Sequence, residues 1–226
     1  MDAAQALAKT TLFGVLDPGP LAEVAQRAVA RKYRKGSILF VQGEVGERCF
    51  AIVSGTVKLS AYHADGREAV LAVLGAGDVF GELALFDEAP RSADATALED
   101  AELLSLDRAG LNDAIATHPE IATALLRVLG RRLRQSNEAF QDIAFFDVPG
   151  RVARRLADLA DTYGVEVEEG VMIDIFLSQE SLAQMVGATR ESVNKALALL
   201  KRRGLVARAG KRYYVSDVSQ LRSRAR

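Results

Sequence analysis

Between Gly36 and Gly81 the chain places eight of its 18 glycines. The apolar stretches they leave are too short for helices and carry β-branched alternation: Ser37-Ile38-Leu39-Phe40-Val41, Phe50-Ala51-Ile52-Val53, Thr56-Val57-Lys58-Leu59 and Val70-Leu71-Ala72-Val73. Turn signals at Gly43, Gly46, Gly55, Asp65-Gly66 and Gly75-Ala76-Gly77 recur about every ten residues, the cadence of an all-β barrel or roll. A helical piece around Leu21 to Ala30 is expected to pack against it.

The next stretch obeys a different rule. From Ile121 to Phe146 there is no proline and no glycine but Gly130. A seam can be counted through Ala122, Leu126, Leu129, Leu133, Ser136, Phe140 and Ile143 in alternating steps of four and three. A helix of about 26 residues spans roughly 39 Å, long enough for a two-helix dimer interface. The same periodicity also fits a long helix packed on its own domain. Asp147-Val148-Pro149-Gly150 breaks it, because proline disfavours a helical residue before it and glycine follows.

Beyond the break, Arg151 to Tyr163 reads as an amphipathic helix with Val152, Leu156, Leu159 and Ala160 on one side. Two more helical patterns follow, Gln179 to Val186 and Glu191 to Arg203, each preceded by an N-cap residue, Ser178 and Thr189. Only Gly187-Ala188-Thr189 separates them, which forces a steep crossing, the helix-turn-helix arrangement, with small Ala183 at the approach. Leu205 to Val215 then reads as a β-hairpin with a basic tip, a wing.

Charge follows the same division. The net charge is −1. Residues 1–120 hold 11 basic and 18 acidic side chains, whereas residues 149–226 hold 14 and 9. Arg190 to Arg212 alone carries eight basic residues against one acidic, Glu191, so the back end is the part suited to a polyanion. Hydrophobic residues make up 49% and charged ones 26%, with no apolar run of membrane-spanning length. The N-terminus lacks a signal-peptide pattern, and a cytoplasmic location is expected. One cysteine and two histidines cannot build a four-ligand zinc site or a protein-held iron–sulfur cluster within one chain. A nucleotide-processing enzyme is disfavoured for want of a nucleophile–base pair, a metal-ligand cluster or a phosphate loop.

Two segments carry chemistry. Arg190, Glu191, Asn194 and Lys195 share the outward, N-terminal side of the last helix, while Val193, Leu197 and Leu200 face inward. A recognition helix reads base edges from that end; Arg or Lys suits guanine, and Glu accepts from cytosine. A solvated helix face is the alternative. The other segment is Phe80-Gly81-Glu82-Leu83-Ala84-Leu85-Phe86-Asp87-Glu88-Ala89-Pro90-Arg91-Ser92-Ala93. Glycine before a helical turn opens backbone N–H groups to a phosphate, arginine supplies a charge-matched fork, and a buried glutamate needs a partner such as sugar hydroxyls. A structural Glu82–Arg91 ion pair explains the same residues. Cys49 reads as packed core, His63 and His118 as solvated polar residues, and Arg222, Arg224 and Arg226 as a frayed tail.

These stretches together resemble the cyclic AMP receptor protein family of bacterial transcription regulators, the CRP/FNR superfamily. The resemblance runs over nearly the whole chain: the glycine-punctuated roll, Gly81-Glu82-Leu83 with Arg91-Ser92-Ala93, Asp147-Val148-Pro149-Gly150-Arg151-Val152-Ala153, and Val186-Gly187-Ala188-Thr189-Arg190-Glu191-Ser192-Val193. It implies an α+β fold with a cyclic-nucleotide-binding β-roll over residues 1–120, a dimerisation helix and hinge over 121–148, and a winged helix-turn-helix over 149–226. Carried over, Glu82 binds the ribose 2′-hydroxyl, Arg91 the cyclic phosphate, Ser92 with the region of Gly81 and Leu83 the phosphate and sugar, and Ser136 and Asn137 the adenine, one from each protomer. The best-known members carry Thr-Ser at this last pair. Arg190, Glu191 and Lys195 occupy base-reading positions, Lys standing where Arg is common, and Ser178, Gln179, Thr189, Asn194 and Lys211 complete the DNA-contacting set. The implied function is a cyclic AMP-responsive homodimer on palindromic, double-stranded DNA sites, with RNA polymerase as a further partner and no metal. The alternative is a member switched by another small molecule or binding DNA without nucleotide. Target genes, and activation against repression, are not readable from the chain.

Overall fold

The computed structural model describes residues 2–63, 65–87 and 89–223. They divide into two compact units, residues 1–61 with 72–134, and residues 62–71 with 135–226. The division falls inside the long helix, not at its end.

The first unit opens with α1 (Ala3–Ala8) and α2 (Pro18–Arg27). Asp2 accepts from the Ala4 N–H to cap α1, and proline at the first turn of α2 sits where no N–H is needed. The helix ends at Arg27, and Ala30, expected in it, lies in a strand instead. Eight strands follow: β1 (Val29–Tyr33), β2 (Ile38–Phe40), β3 (Arg48–Ser54), β4 (Val57–Tyr62), β5 (Glu68–Leu74), β6 (Val79–Phe80), β7 (Asp94–Ala97) and β8 (Ala101–Asp107), with the short α3 (Leu83–Phe86) after β6. They form two four-stranded sheets, ordered β1-β8-β3-β6 and β2-β7-β4-β5. Phe50, Ile52, Val57, Leu74, Phe80 and Leu103 are among the side chains that fill the space between them. Phe50 and Phe80 stack at 5.3 Å, and Phe40 lies against both. Positive φ at Gly55 (89°) and Gly77 (92°) makes glycine the residue for those turns.

A second core joins α1, α2, α4 (Arg108–Thr117) and the first turns of α5 (Glu120–Phe145) to the outer face of the first sheet. Leu12, Leu111 and Ile121 are fully buried there, and Cys49 joins them as the packed core residue its setting suggested. His118 is not solvated: its ring is 14% exposed, with Nε2 3.3 Å from Glu23 Oε2.

In the second unit, the last turns of α5 lead to α6 (Val148–Tyr163). Asp147 caps α6 by accepting from the Gly150 N–H, so the break lies at Phe146-Asp147 and Pro149 and Gly150 belong to the helix that follows. Val152, Leu156, Leu159 and Ala160 are buried as their spacing required. Then come β9 (Gly164–Val167), β10 (Gly170–Ile173), α7 (Gln179–Met185), α8 (Arg190–Arg202), β11 (Val206–Ala209), β12 (Arg212–Val215) and α9 (Val218–Ser223). The wing is one half of a four-stranded sheet ordered β11-β12-β10-β9. Arg222 is no frayed end: it pairs with Asp158 at 2.9 Å and Asp161 at 2.6 Å. Arg224 and Arg226 lie outside the described residues. Among those residues no helix is long and apolar enough to cross a membrane.

Candidate functional site

The loop from β6 through α3 to β7 closes one end of the roll. Gly81 turns the chain with φ of 76°; a Cβ there would stand 2.9 Å from Arg91 Nη1. Gly46 is tighter still, its Cβ position being 2.3 Å from the Ala84 Cβ and 3.1 Å from Arg91 Cζ. Two glycines therefore leave the room in which Arg91 is seated.

Arg91 Cζ lies over the Phe40 ring, 4.1 Å from its centroid, and the guanidinium donates to the carbonyls of Gly81 (2.6 Å) and Arg48 (2.7 Å). Burial pulls its guanidinium below arginine's ordinary range, opposed in part by Glu44 and Glu82. Glu82 is 1% exposed. It does not pair with Arg91; its partner is Arg132 of α5, whose Nη1 is 2.5 Å from Oε1 and whose Nη2 donates to the Val79 carbonyl. The Glu82–Arg91 ion pair is thus corrected: Arg91 is engaged by backbone carbonyls and a ring. Among the described residues, Glu82 Oε2 and Arg91 Nε are buried with no hydrogen-bond partner.

These groups line a cleft of about 360 Å³ with Leu59, Leu83 and Ser92. Leu83 and Ser92 are exposed, and Gly81, Glu82, Leu83, Arg91 and Ser92, the residues carried over from the resemblance, line this one cleft together. Arg132 is the member that sequence reasoning missed. Ser136 and Asn137 fall in the second unit, exposed on α5. Along the same helix Leu126 (70%), Leu133 (63%), Phe140 (75%) and Ile143 (57%) are exposed within the chain, leaving most of the counted seam uncovered rather than packed on its own unit.

In the second unit Ser178 caps α7 by accepting from the Ser181 N–H at 2.9 Å, and Thr189 caps α8 by accepting from the Ser192 N–H at 3.2 Å. Gly187, with φ of 62°, makes the turn, and the Ala188 N–H donates to the Ala183 carbonyl, where a larger side chain would hold the helices apart. On α8, Arg190, Glu191, Asn194 and Lys195 are exposed while Val193, Leu197 and Leu200 are buried. Glu191 and Lys195 pair across one turn at 2.7 Å, both open to water. Gln179 is half-buried at the start of α7. At the wing Lys211 Nζ lies 4.0 Å over the Phe176 ring, and Gly210 makes the tip with φ of 60°.

Two family models match: a cyclic nucleotide-binding domain over residues 30–118 and a Crp-like helix-turn-helix domain over residues 150–224. A CRP-like cAMP-activated global transcriptional regulator of Mycobacterium tuberculosis is 41% identical, covering 97% of this chain and 98% of that protein. This chain belongs to the CRP/FNR family of bacterial transcription regulators. It is a regulator and not an enzyme. Among solved structures of the family, FixK2 from Bradyrhizobium japonicum matches in fold with a TM-score of 0.76 at 23% identity, over 87% of this chain and 96% of that one. The c-di-GMP responsive global regulator CLP of Xanthomonas campestris matches with a TM-score of 0.72 at 26% identity, over 89% of this chain and 100% of that one. For this CRP/FNR member the helix-turn-helix carries DNA binding and the β-roll is a cyclic-nucleotide-binding domain.

Proposed function

We propose that this CRP/FNR member is a cyclic AMP-responsive regulator that binds palindromic double-stranded DNA as a homodimer. The observation that carries the effector reading is the pair of unpartnered buried atoms in one cleft: an acceptor, Glu82 Oε2, and a cationic donor, Arg91 Nε. A ribose hydroxyl answers the first and a cyclic phosphate the second, and an unanswered buried polar group is costly. Ser92 stands at the mouth for the phosphate and sugar, beside the turn at Gly81 and Leu83. Ser136 and Asn137 offer a hydroxyl and an amide for the adenine N6 and ring nitrogens. The uncovered seam of α5 supports pairing with a second copy. Arg190, Glu191, Asn194 and Lys195 then meet base edges, Ser178, Gln179, Thr189 and Lys211 the DNA backbone, and RNA polymerase is the partner that turns binding into regulation.

The relative of M. tuberculosis is named for activation by cAMP and that of X. campestris for its response to c-di-GMP, so the nucleotide is the point to test. Calorimetric titration of nucleotide-free protein with cyclic AMP, cyclic GMP and c-di-GMP, followed by DNA affinity with and without each, is the experiment. Cyclic AMP should bind, raise DNA affinity, and fail to bind the folded Arg91→Leu variant, which loses the charge facing the phosphate. DNA affinity indifferent to cyclic AMP but raised by another ligand, or high with none, would replace this reading by the alternative regulator.

A further inference from the structure

We propose that Arg108, the first residue of α4, is a positioning residue of the nucleotide site: it locks α3 against the loop of residues 43–46 and so fixes the seat from which Arg91 meets a cyclic phosphate, a role that rests on the reading of Arg91 proposed above. Arg108 stands outside the residues that line the cleft. Its own place is set by the backbone. β3 and β8 pair as far as Arg48 with Asp107, and one step further the Arg108 N–H donates to the Glu47 carbonyl at 3.1 Å. Asp107 then caps α4 by accepting from the Gly110 N–H, which starts the helix at that point. The half-buried Arg108 side chain reaches three carbonyls, those of Leu85 (Nη1, 2.6 Å), Ala84 (Nη2, 2.8 Å) and Gly46 (Nη2, 3.3 Å). A helix as short as α3 cannot answer its own last carbonyls, and a planar fork can answer two of them at once.

Those three carbonyls belong to the two walls that hold Arg91. The loop is one wall. It grips the Arg91 backbone, whose N–H donates to the Glu44 carbonyl at 2.8 Å and whose carbonyl accepts from the Gly43 N–H at 2.9 Å. It also bounds the side chain, since a Cβ at Gly46 would collide with the Ala84 Cβ and stand 3.1 Å from Arg91 Cζ. The other wall is α3 with the turn before it, where the Gly81 carbonyl accepts from Arg91 Nη1. Gly46 and Ala84 are the point at which the walls touch, and the one guanidinium of Arg108 holds a carbonyl on each side of it. Without that bridge the walls are free to part, and Arg91 gains a second seat. A charge-assisted hydrogen bond depends on direction as well as distance, so a guanidinium shared between two seats loses grip on a phosphate while keeping its charge.

Calorimetry on the nucleotide-free full chain tests this with cyclic AMP and its two phosphorothioate diastereomers, in which sulfur replaces one or the other exocyclic phosphate oxygen. Wild type, Arg91→Leu, Arg108→Met and Arg108→Lys are compared, with Tm recorded for each. Wild type should bind cyclic AMP and prefer one diastereomer, because a fixed guanidinium faces one oxygen more than the other. Arg108→Met should weaken cyclic AMP about tenfold or more, the scale of one charge-assisted hydrogen bond, and move the affinity ratio of the diastereomers towards one. Arg108→Lys keeps a charged donor without the fork, should fall between the two, and carries the test by itself if the methionine variant does not fold. A loss of stability alone weakens both diastereomers equally and leaves their ratio as it was. Unchanged cyclic AMP affinity or an unchanged ratio in the folded Arg108 variants, or a wild type without preference, would overturn the role of Arg108 while leaving the reading of Arg91 in place. A wild type that binds no cyclic AMP, or Arg91→Leu binding it as wild type does, would overturn that reading and this role together.

Discussion

Arg132 holds Glu82 through one carboxylate oxygen, Nη1 to Oε1 at 2.5 Å, and leaves the other buried and unpartnered. The glutamate is 1% exposed and the arginine side chain 31%, so the pair is shielded from water chiefly on the acid side. Removing the cation strands the anion, which is worse than removing both. Arg132→Met should therefore cost about 1–3 kcal/mol of stability, the range for leaving a buried group unsatisfied. Adding Glu82→Gln to it should restore part of that loss. Urea denaturation of the two single variants and the double one measures the coupling, and strictly additive losses would show that the two side chains do not depend on each other.

Cys49 tests the depth of the same region. Burial pushes its thiol up to about 12, with the charge of Glu82 the next cause. Only a thiolate attacks, so the folded protein should resist a disulfide reagent at about pH 8, while the urea-unfolded chain reacts fully. The linkage has a definite sign. The folded value lies above the unfolded 9.0, so the thiol's contribution to stability is complete below pH 9 and is lost as pH rises from 9 towards 12. Denaturation at about pH 8 and about pH 10.5 should show wild type losing more stability than Cys49→Val over that interval. Equal losses would mean that the thiol titrates normally.

The sequence was legible where local chemistry decides the outcome. Ser178 and Thr189 cap their helices because an N-cap is a matter of one side chain and the N–H three residues on. The glycine turns and β-branched runs of the roll were readable for the same reason. Val29–Tyr33 was not: as an edge strand with four exposed residues it has no apolar alternation to see. The hairpin of β9 and β10 was missed too, since Glu166, Glu168 and Glu169 make it look like a loop. Arg132 stands among Arg131 and Arg134 on one helix, and only the roll's position against α5 selects which of the three reaches a buried glutamate. The pairing of Glu82 with Arg91 failed because two backbone carbonyls and the Phe40 ring answer Arg91 first.

The proposed base reading by α8 and backbone binding by the wing can be told apart by substitution. Arg190 is exposed at the first turn, where a guanidinium can meet guanine O6 and N7 together. Arg190→Ala should cost about 1–3 kcal/mol of discrimination at one guanine per half-site. Lys211 lies over Phe176 beside the wing tip, and Lys211→Ala should weaken binding to all sequences alike and make affinity less dependent on salt. Fluorescence anisotropy on specific and scrambled duplexes at several salt concentrations distinguishes the two. Equal loss for Arg190→Ala on both duplexes would refute base reading at that residue.

Ser136 and Asn137 put the switch itself to the test. α5 runs unbroken from Glu120 to Phe145, and Asp147 begins α6 directly after it, so both residues stand about ten positions before the junction that leads into the DNA-binding helices. A ligand shifts an equilibrium only by its difference in affinity for the two states, and moving a 1:99 mixture to 99:1 takes about 5.5 kcal/mol. In the proposed dimer the phosphate and ribose contacts come from one protomer and can be equal in both states. Adenine contacts across the seam cannot, because they exist only when the paired helices hold one arrangement. Ser136→Ala with Asn137→Ala should therefore still bind cyclic AMP, more weakly, yet show little ligand-dependent gain in DNA affinity at saturation. Calorimetry fixes the saturating concentration and anisotropy reads the gain; a double variant that gains as much DNA affinity as wild type would place the switch elsewhere in the chain.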